Sequence, residues 1–300
     1  MLDAKAAFVC AGWNLKSLLK NPKTYLCAIM AFLLCFLLTD KVITLSREYR
    51  TNVQVFEPFI WCFADSDSIL FAALVLMLLL TELPRLDAPT AYLIFRTNRM
   101  SWLLGQMITI AIVSLGYVLF LLLSSMALCT GTTFLANRWS DTATLLSFAP
   151  RTFEVALSIM RKTIKLTTPY SCTLHIGLLM LQYTLFMSAL QLMLTVFRSK
   201  RVGVTAVLAL NIVAYLLTPD RFMAWLELNK YMQYYANLLS AWLSPLQHAT
   251  FTMHNFGYDL LPTLQMTHGL FGGLSLTMFI VAFILIKRRG IDFSGGSEYE

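Results

Sequence analysis

Six apolar runs, each near the length needed to cross a bilayer, restrict this chain to one class of fold. They cover residues 24–40, 67–84, 102–129, 172–197, 203–219 and 266–286. About 20 mostly apolar residues cross ~30 Å of hydrocarbon as a helix. Inside the bilayer a backbone must satisfy its own hydrogen bonds, which favours helices. The expected fold is therefore all-α, a polytopic membrane protein with six transmembrane helices. Composition agrees: of 300 residues, 58% are hydrophobic and 13% charged, where soluble domains carry roughly 25% charged residues. The runs leave no stretch for a large soluble domain, so residues 1–300 read as one transmembrane domain.

Lysine and arginine bias sets the orientation. With the N-terminus inside, the inner segments hold Lys5, Lys16, Lys20, Lys23, Arg85, Arg96, Arg99, Arg198, Lys200, Arg201, Lys287, Arg288 and Arg289. These are 13 of the 23 basic residues, against six of the 16 acids, a balance of +7. The other ten bases and ten acids lie outside and cancel. The whole formal charge of +7 thus falls on one side, and both termini are expected in the cytoplasm of a cell-membrane, multi-pass protein. This asymmetry accounts for the high pI without a nucleic-acid partner. Residues 1–23 spread their lysines and lack a basic start followed by an apolar core, so no cleavable signal peptide is expected.

The connecting segments carry their own patterns. Residues 1–22 place Leu2, Ala6, Val9 and Trp13 on one stripe and Phe8, Leu15 and Leu19 on another. They read as an interfacial N-terminal helix on the inner leaflet, or as a simple anchoring tail. Asn21-Pro22 ends that segment. Between the second and third runs, Asp87 can cap a helix and Pro89 suits its first turn. Tyr92, Phe95 and Trp102 recur at helical spacing there, beside Arg96 and Arg99. Glu82 at the inner membrane edge can line a pathway or pair with Arg85 or Arg96, and Gln106 lies nearby in the third run.

On the outer side, Phe153, Leu157, Met160 and Ile164 have helical spacing. Cys129 and Cys172 flank that loop and either pair or serve as core filler. Residues 219–265 form an outside amphipathic insert rich in aromatics, with Leu228, Met232, Tyr235, Leu239 and Trp242 on one helical face. Such residues favour the membrane–water interface and its lipid. Asn211 at mid-depth is expected to bond a neighbouring helix, and Gly269, Gly272 and Gly273 to allow close helix contact.

Chemistry is sparse. There is no phosphate-binding loop of the G-x-x-x-x-G-K-[ST] form and no H-E-x-x-H. The histidines, 175, 248, 254 and 268, do not cluster in sequence with carboxylates as a metal or acid–base site requires. The expectation is a non-enzyme with no catalytic residue, no metal and no cofactor of its own.

Thr81-Glu82 and the stretch Phe95-Arg96-Thr97-Asn98-Arg99-Met100-Ser101-Trp102-Leu103-Leu104-Gly105-Gln106 resemble the permease subunit of type-2 ATP-binding-cassette (ABC) transporters. In that family a Glu ends the second span and a leucine-rich LLGQ or LLGK opens the third. Leu83-Pro84 stands where Gly-Thr often follows the Glu. The resemblance in layout spans nearly the whole chain. It implies a pair of permeases, identical or related, bound to two separate ATPase subunits that hold ATP and Mg. It makes 86–100 a coupling helix, with Tyr92, Phe95, Arg96 and Arg99 as its ATPase-coupling residues. Glu82 and Gln106 become inner-edge pathway candidates, and Tyr235, Leu239 and Trp242 the outer rim. The implied function is export, with an amphipathic peptide or drug as substrate. The alternative is a non-transporting membrane scaffold or sensor.

Overall fold

The computed structural model describes residues 3–84, 98–148 and 161–289, and about 81% of it is helical. Side-chain caps mark the helix starts. The Asp3 carboxylate accepts from the Lys5 and Ala6 amides and opens α1, Ala4–Leu19. Asn21 caps α2, Pro22–Tyr49, whose first residue is the proline. Asp65 caps α4, Ser66–Leu80, which follows the short α3, Glu57–Cys62. Asn98 caps α5, Arg99–Leu128. Each cap supplies an acceptor to amides that the helix itself leaves unpaired. After α5 come α6, Asp141–Phe148, α7, Arg161–Leu166, and α8, Pro169–Phe197. Ser199 caps α9, Lys200–Leu216. Then follow α10, Pro219–Trp225, α11, Gln233–Leu243, α12, Pro245–Ala249, and α13, Leu264–Arg289.

Among the described residues four helices, α2, α5, α8 and α13, are long and apolar enough to cross a membrane. A fifth candidate arises only if α9 and α10 count together across a 71° bend. Helix α4, at 15 residues, rises about 22 Å at 1.5 Å per residue, short of the hydrocarbon thickness. The six apolar runs are therefore not six full-length helices. The run at 67–84 includes residues beyond the Thr81 cap, and the run at 203–219 meets Pro219. Apolar composition continues there while helical hydrogen bonding stops.

The long helices lie in a consistent register. Asp3 N bonds Ser101 Oγ at 2.9 Å and Asn14 Nδ2 bonds Thr109 Oγ1 at 3.3 Å. Helix α1 thus runs beside the first turns of α5, in the same direction. Its opposite side leaves Phe8, Val9 and Leu19 exposed. Helices α2 and α5 end together, because β1 (Val53–Gln54) and β2 (Thr133–Phe134), which follow them, pair in parallel. Helix α4 runs back: Tyr117 of α5 donates to Ala72 O at 2.9 Å. Gln191 of α8 donates to Leu80 O and Leu83 O at 3.0 and 3.3 Å. One end of the bundle therefore carries Lys23, Glu82 and the turn between α8 and α9. The other end carries the strand pair, α3, α6 and α7.

Close packing depends on glycines other than those expected. A Cβ on Gly105 would stand 2.8 Å from Cys10 Cβ and 2.9 Å from Ala7 O, so α1 and α5 meet there. On Gly203 it would stand 2.6 Å from Thr195 Oγ1 and 2.7 Å from Gln191 O, where α9 meets α8. Around Gly269, Gly272 and Gly273 nothing lies within 4 Å. The expected close contacts at those three are absent, because that side of α13 faces away from the other described helices.

Candidate functional site

Of the residues assigned to coupling, Tyr92, Phe95 and Arg96 lie outside the described residues. So does most of the 86–100 segment, with Asp87 and Pro89. Arg99 is described, and it is the exposed first residue of α5. The Asn98 side chain accepts from Met100 N at 3.4 Å, so residues 99 and 100 belong to α5 rather than to a separate helix.

At the same end Glu82 sits just past α4 and forms an ion pair with Lys23 in the first turn of α2. Arg85 and Arg96, the partners that the sequence offered for Glu82, lie outside the described residues. Gln106 is fully buried, and neither of its amide atoms has a partner among the described residues. An unsatisfied buried polar group costs about 1–3 kcal/mol, so Gln106 is an energetic liability beside the α1–α5 contact. Gln191 is a polar residue of the fourth apolar run to which the sequence assigns no role. Its side chain donates to Leu80 O, which also accepts from Leu83 N at 2.9 Å, and to Leu83 O just past the helix, and so ties the end of α4 to α8.

At the opposite end, α11 sorts its residues by size. Ala236, Ser240 and Ala241 are buried against the protein, while Tyr235, Leu239 and Trp242 are exposed. Ser240 Oγ donates to Leu217 O at 2.6 Å and Ser244 Oγ to Ala214 O at 2.9 Å, fastening the small side to α9. Trp242 Nε1 donates to Leu260 O at 3.1 Å. The expected apolar face exists, but it is shorter than expected. Glu227 has φ 49°, and the helix begins only at Gln233, so Leu228 and Met232 lie outside it.

Beneath this insert all four histidines come together. His254 Nε2 and His248 Nδ1 face the Thr267 hydroxyl at 3.0 and 3.1 Å. His254 Nδ1 faces Thr250 O at 3.0 Å, and His248 Nε2 faces Trp242 O at 3.4 Å. His268 Nδ1 meets Gln182 Oε1 at 2.7 Å, and its ring stacks on His175 with centroids 6.0 Å apart. Burial holds the His248 pKa below its usual value and lowers that of His254 to about 4, partly offset by backbone carbonyls. No sequence spacing announces this group, since α8 and the 248–268 stretch are far apart in the chain. Among the described residues no set of three or more His, Cys, Asp or Glu is arranged to hold a metal. All six cysteines are free and buried, so Cys129 and Cys172 do not pair.

A second buried polar residue escaped the sequence reading. Glu57 is fully buried. It accepts from Ser140 N at 2.7 Å, Ser140 Oγ at 2.6 Å and Gln54 N at 3.2 Å. Gln54 Oε1 in turn accepts from Glu57 N at 3.2 Å. This is the reciprocal pattern of a capping box with Gln in the Ser position, a signal readable as Gln-x-x-Glu. Burial raises the Glu57 pKa to about 7 against those donors. Of the expected outer helix near 153–164, Phe153, Leu157 and Met160 lie outside the described residues. Ile164 lies in α7, partly buried.

The hollow between Trp61, Trp139, Thr163 and Phe251 holds about 10 Å3, room for one water. The one lined by Ile69, Tyr117 and Met180 holds none. Comparison with protein-family models, curated proteins and solved structures returned no match for this chain.

Proposed function

We propose that the chain is the permease subunit of an ATP-driven exporter, forming half of a translocation path and taking its motion from a separate ATPase. The observation that carries this reading is the closed core. The two hollows described above hold no more than about 10 Å3 each, while α2 and α5 turn Phe32, Leu33, Phe36, Leu37, Leu115, Leu119 and Leu123 outward. A solute path would therefore run between two such chains, not through one. The base-rich end also suits a cytoplasmic partner. The Lys23–Glu82 pair marks this end, where α4 stops and α5 starts.

The mechanism follows from the ties already described. ATP binding closes two partner ATPases, which press on the segment around Tyr92 and Phe95. That segment moves the end of α4 and the start of α5 together. Gln191 carries the movement into α8, and the Gly105 contact carries it into α1. The outward face of Tyr235, Leu239 and Trp242 forms the rim where an amphipathic peptide or drug leaves into lipid or water. Both termini lie in the cytoplasm of the cell membrane in this arrangement, and the second permease is identical or related. A sensor without transport is the second reading, favoured by the buried histidine group.

Purification decides between them. The exporter reading expects an ATPase to co-purify with the chain. It expects Phe95→Ala or Tyr92→Ala to release that ATPase or uncouple transport at normal membrane expression, since buried aromatic anchors cost about 2 kcal/mol or more on truncation. Arg99→Ala, at an exposed position, is expected to be milder. Unchanged binding and transport in both aromatic variants would remove the coupling assignment. A stable chain that captures no ATPase would favour the sensor.

A further inference from the structure

We propose that His248, Thr267 and His254 form a single proton-binding site, in which two rings and one hydroxyl together take up one proton and share it. The argument is a count of hydrogens. Four contacts run in a line: Trp242 O to His248 Nε2, His248 Nδ1 to Thr267 Oγ1, Thr267 Oγ1 to His254 Nε2, and His254 Nδ1 to Thr250 O, where Phe251 O at 3.3 Å shares the same nitrogen and its one hydrogen. Each needs one hydrogen. Two neutral imidazoles and one hydroxyl supply three. The chain ends on a carbonyl at both sides, and neither carbonyl has a hydrogen to give. His254 and Thr267 are fully buried and His248 nearly so, and of the four contacts the one to Trp242 O, at the end of the line, is part-buried.

One added proton completes the line. His254 then donates from both nitrogens, to Thr250 O and to Thr267 Oγ1. Thr267 turns its hydrogen to His248 Nδ1, and His248 donates from Nε2 to Trp242 O. With three hydrogens the contact left unmade is the longest, that to Trp242 O at 3.4 Å. This carbonyl belongs to the last turn of α11, where positive charge is favoured by the helix dipole. The proton therefore completes the link between the outer insert and α13.

The surrounding charges bear on when the proton arrives. His268 and His175 stack beside the site and oppose a second positive charge. Lys162 donates to His254 O at 3.1 Å and is paired with Asp259. Asp65 stands before α4, next to Ala64, whose carbonyl accepts from Thr252; its carboxylate is held by Ser68. Apart from Asp67 in α4 and Lys200 and Arg201 in α9, those helices carry no charged residue. Burial keeps both rings below the ordinary imidazole range, so the site is empty of its extra proton at neutral pH and fills on acidification.

The test uses the full-length chain labelled with 15N-histidine in detergent micelles, where four histidines give a readable ring spectrum. Ring shifts are followed from pH 8 to pH 4, and His248→Asn and His254→Asn assign the signals. The expected result is that the two rings move in one joint step summing to one proton, below the ordinary value of ~6.5. Thr267→Ser keeps the joint step, and Thr267→Val splits it into two independent ones. Independent steps in the parent chain, or a joint step that survives Thr267→Val, overturn the proposal. If Thr267→Val does not fold, the parent and Thr267→Ser decide: two separate steps in either overturn it.

Discussion

A single methyl group tests how α1 is held. In Gly105→Ala the new carbon meets Cys10 Cβ and the Ala7 carbonyl inside 3 Å. Backbone cannot swing aside as a side-chain tip can, and overpacking of this kind costs about 1–3 kcal/mol. Gly272→Ala meets nothing within 4 Å, and alanine is the better helix former by about 1 kcal/mol. Thermal melting in detergent should fall for the first and hold or rise for the second; equal shifts would mean that α1 is not seated on Gly105. Sequence alone pointed to the wrong glycines, because apolar neighbours surround a glycine alike whether it faces lipid or another helix. It did better with Asn211. An amide in an apolar run needs a partner, and Asn211 accepts from Tyr183 OH at 2.8 Å on the neighbouring helix.

At the scale of elements, polar anchors explain what hydropathy could not. Glu57 joins the strand pair to the start of α6 through Ser140. Its folded pKa is raised from 4.5 to about 7. Below 4.5 it carries its proton both folded and unfolded and has no effect. Between 4.5 and about 7 the unfolded chain gives up that proton while the folded chain keeps it, so stability falls as pH rises and then levels off. The full change is on the order of 3 kcal/mol. Glu57→Gln should flatten the dependence of the melting temperature on pH across that window; an unaltered slope would mean another group sets it. Helix α11 makes a second case. Leu239 lies on the outward apolar face, and Leu239→Asp should impair membrane retention or transport, while Asn237→Asp should be mild. Equal effects would remove the case for a lipid-facing helix. The apolar pattern of α11 was legible because size alternates with helical period. The histidine group was not, because its members meet only after α8 and α13 pack.

For the molecule as a whole, the charge count and the register of the helices describe one arrangement. The basic turn at Lys200 lies at the end that holds Lys23 and Glu82, and Leu135 and Tyr231 are exposed outside α5 and α9. All native cysteines are buried, so background labelling by an impermeant thiol reagent should be low. On intact cells Leu135→Cys and Tyr231→Cys should label and Lys200→Cys should not. Labelling at position 200 from outside would reverse the orientation. Apolar runs located every long helix, yet they overstated α4, since hydropathy does not register where a cap ends the hydrogen-bond ladder.

The seat of α1 also bears on the order in which the protein is made. Asp3 finds its partner Ser101 98 positions downstream. A ribosome releases α1 first, and α2 and α4 follow before the surface it needs exists. Until then its packing side, built from Ala7, Cys10, Ala11, Asn14 and Leu18, is bare. Four of these are small, so this side adds little oily surface to the Phe8, Val9 and Leu19 that stay exposed on the other. Helix α1 thus completes its contacts with α5 only after the intervening α2, α3 and α4 have been made.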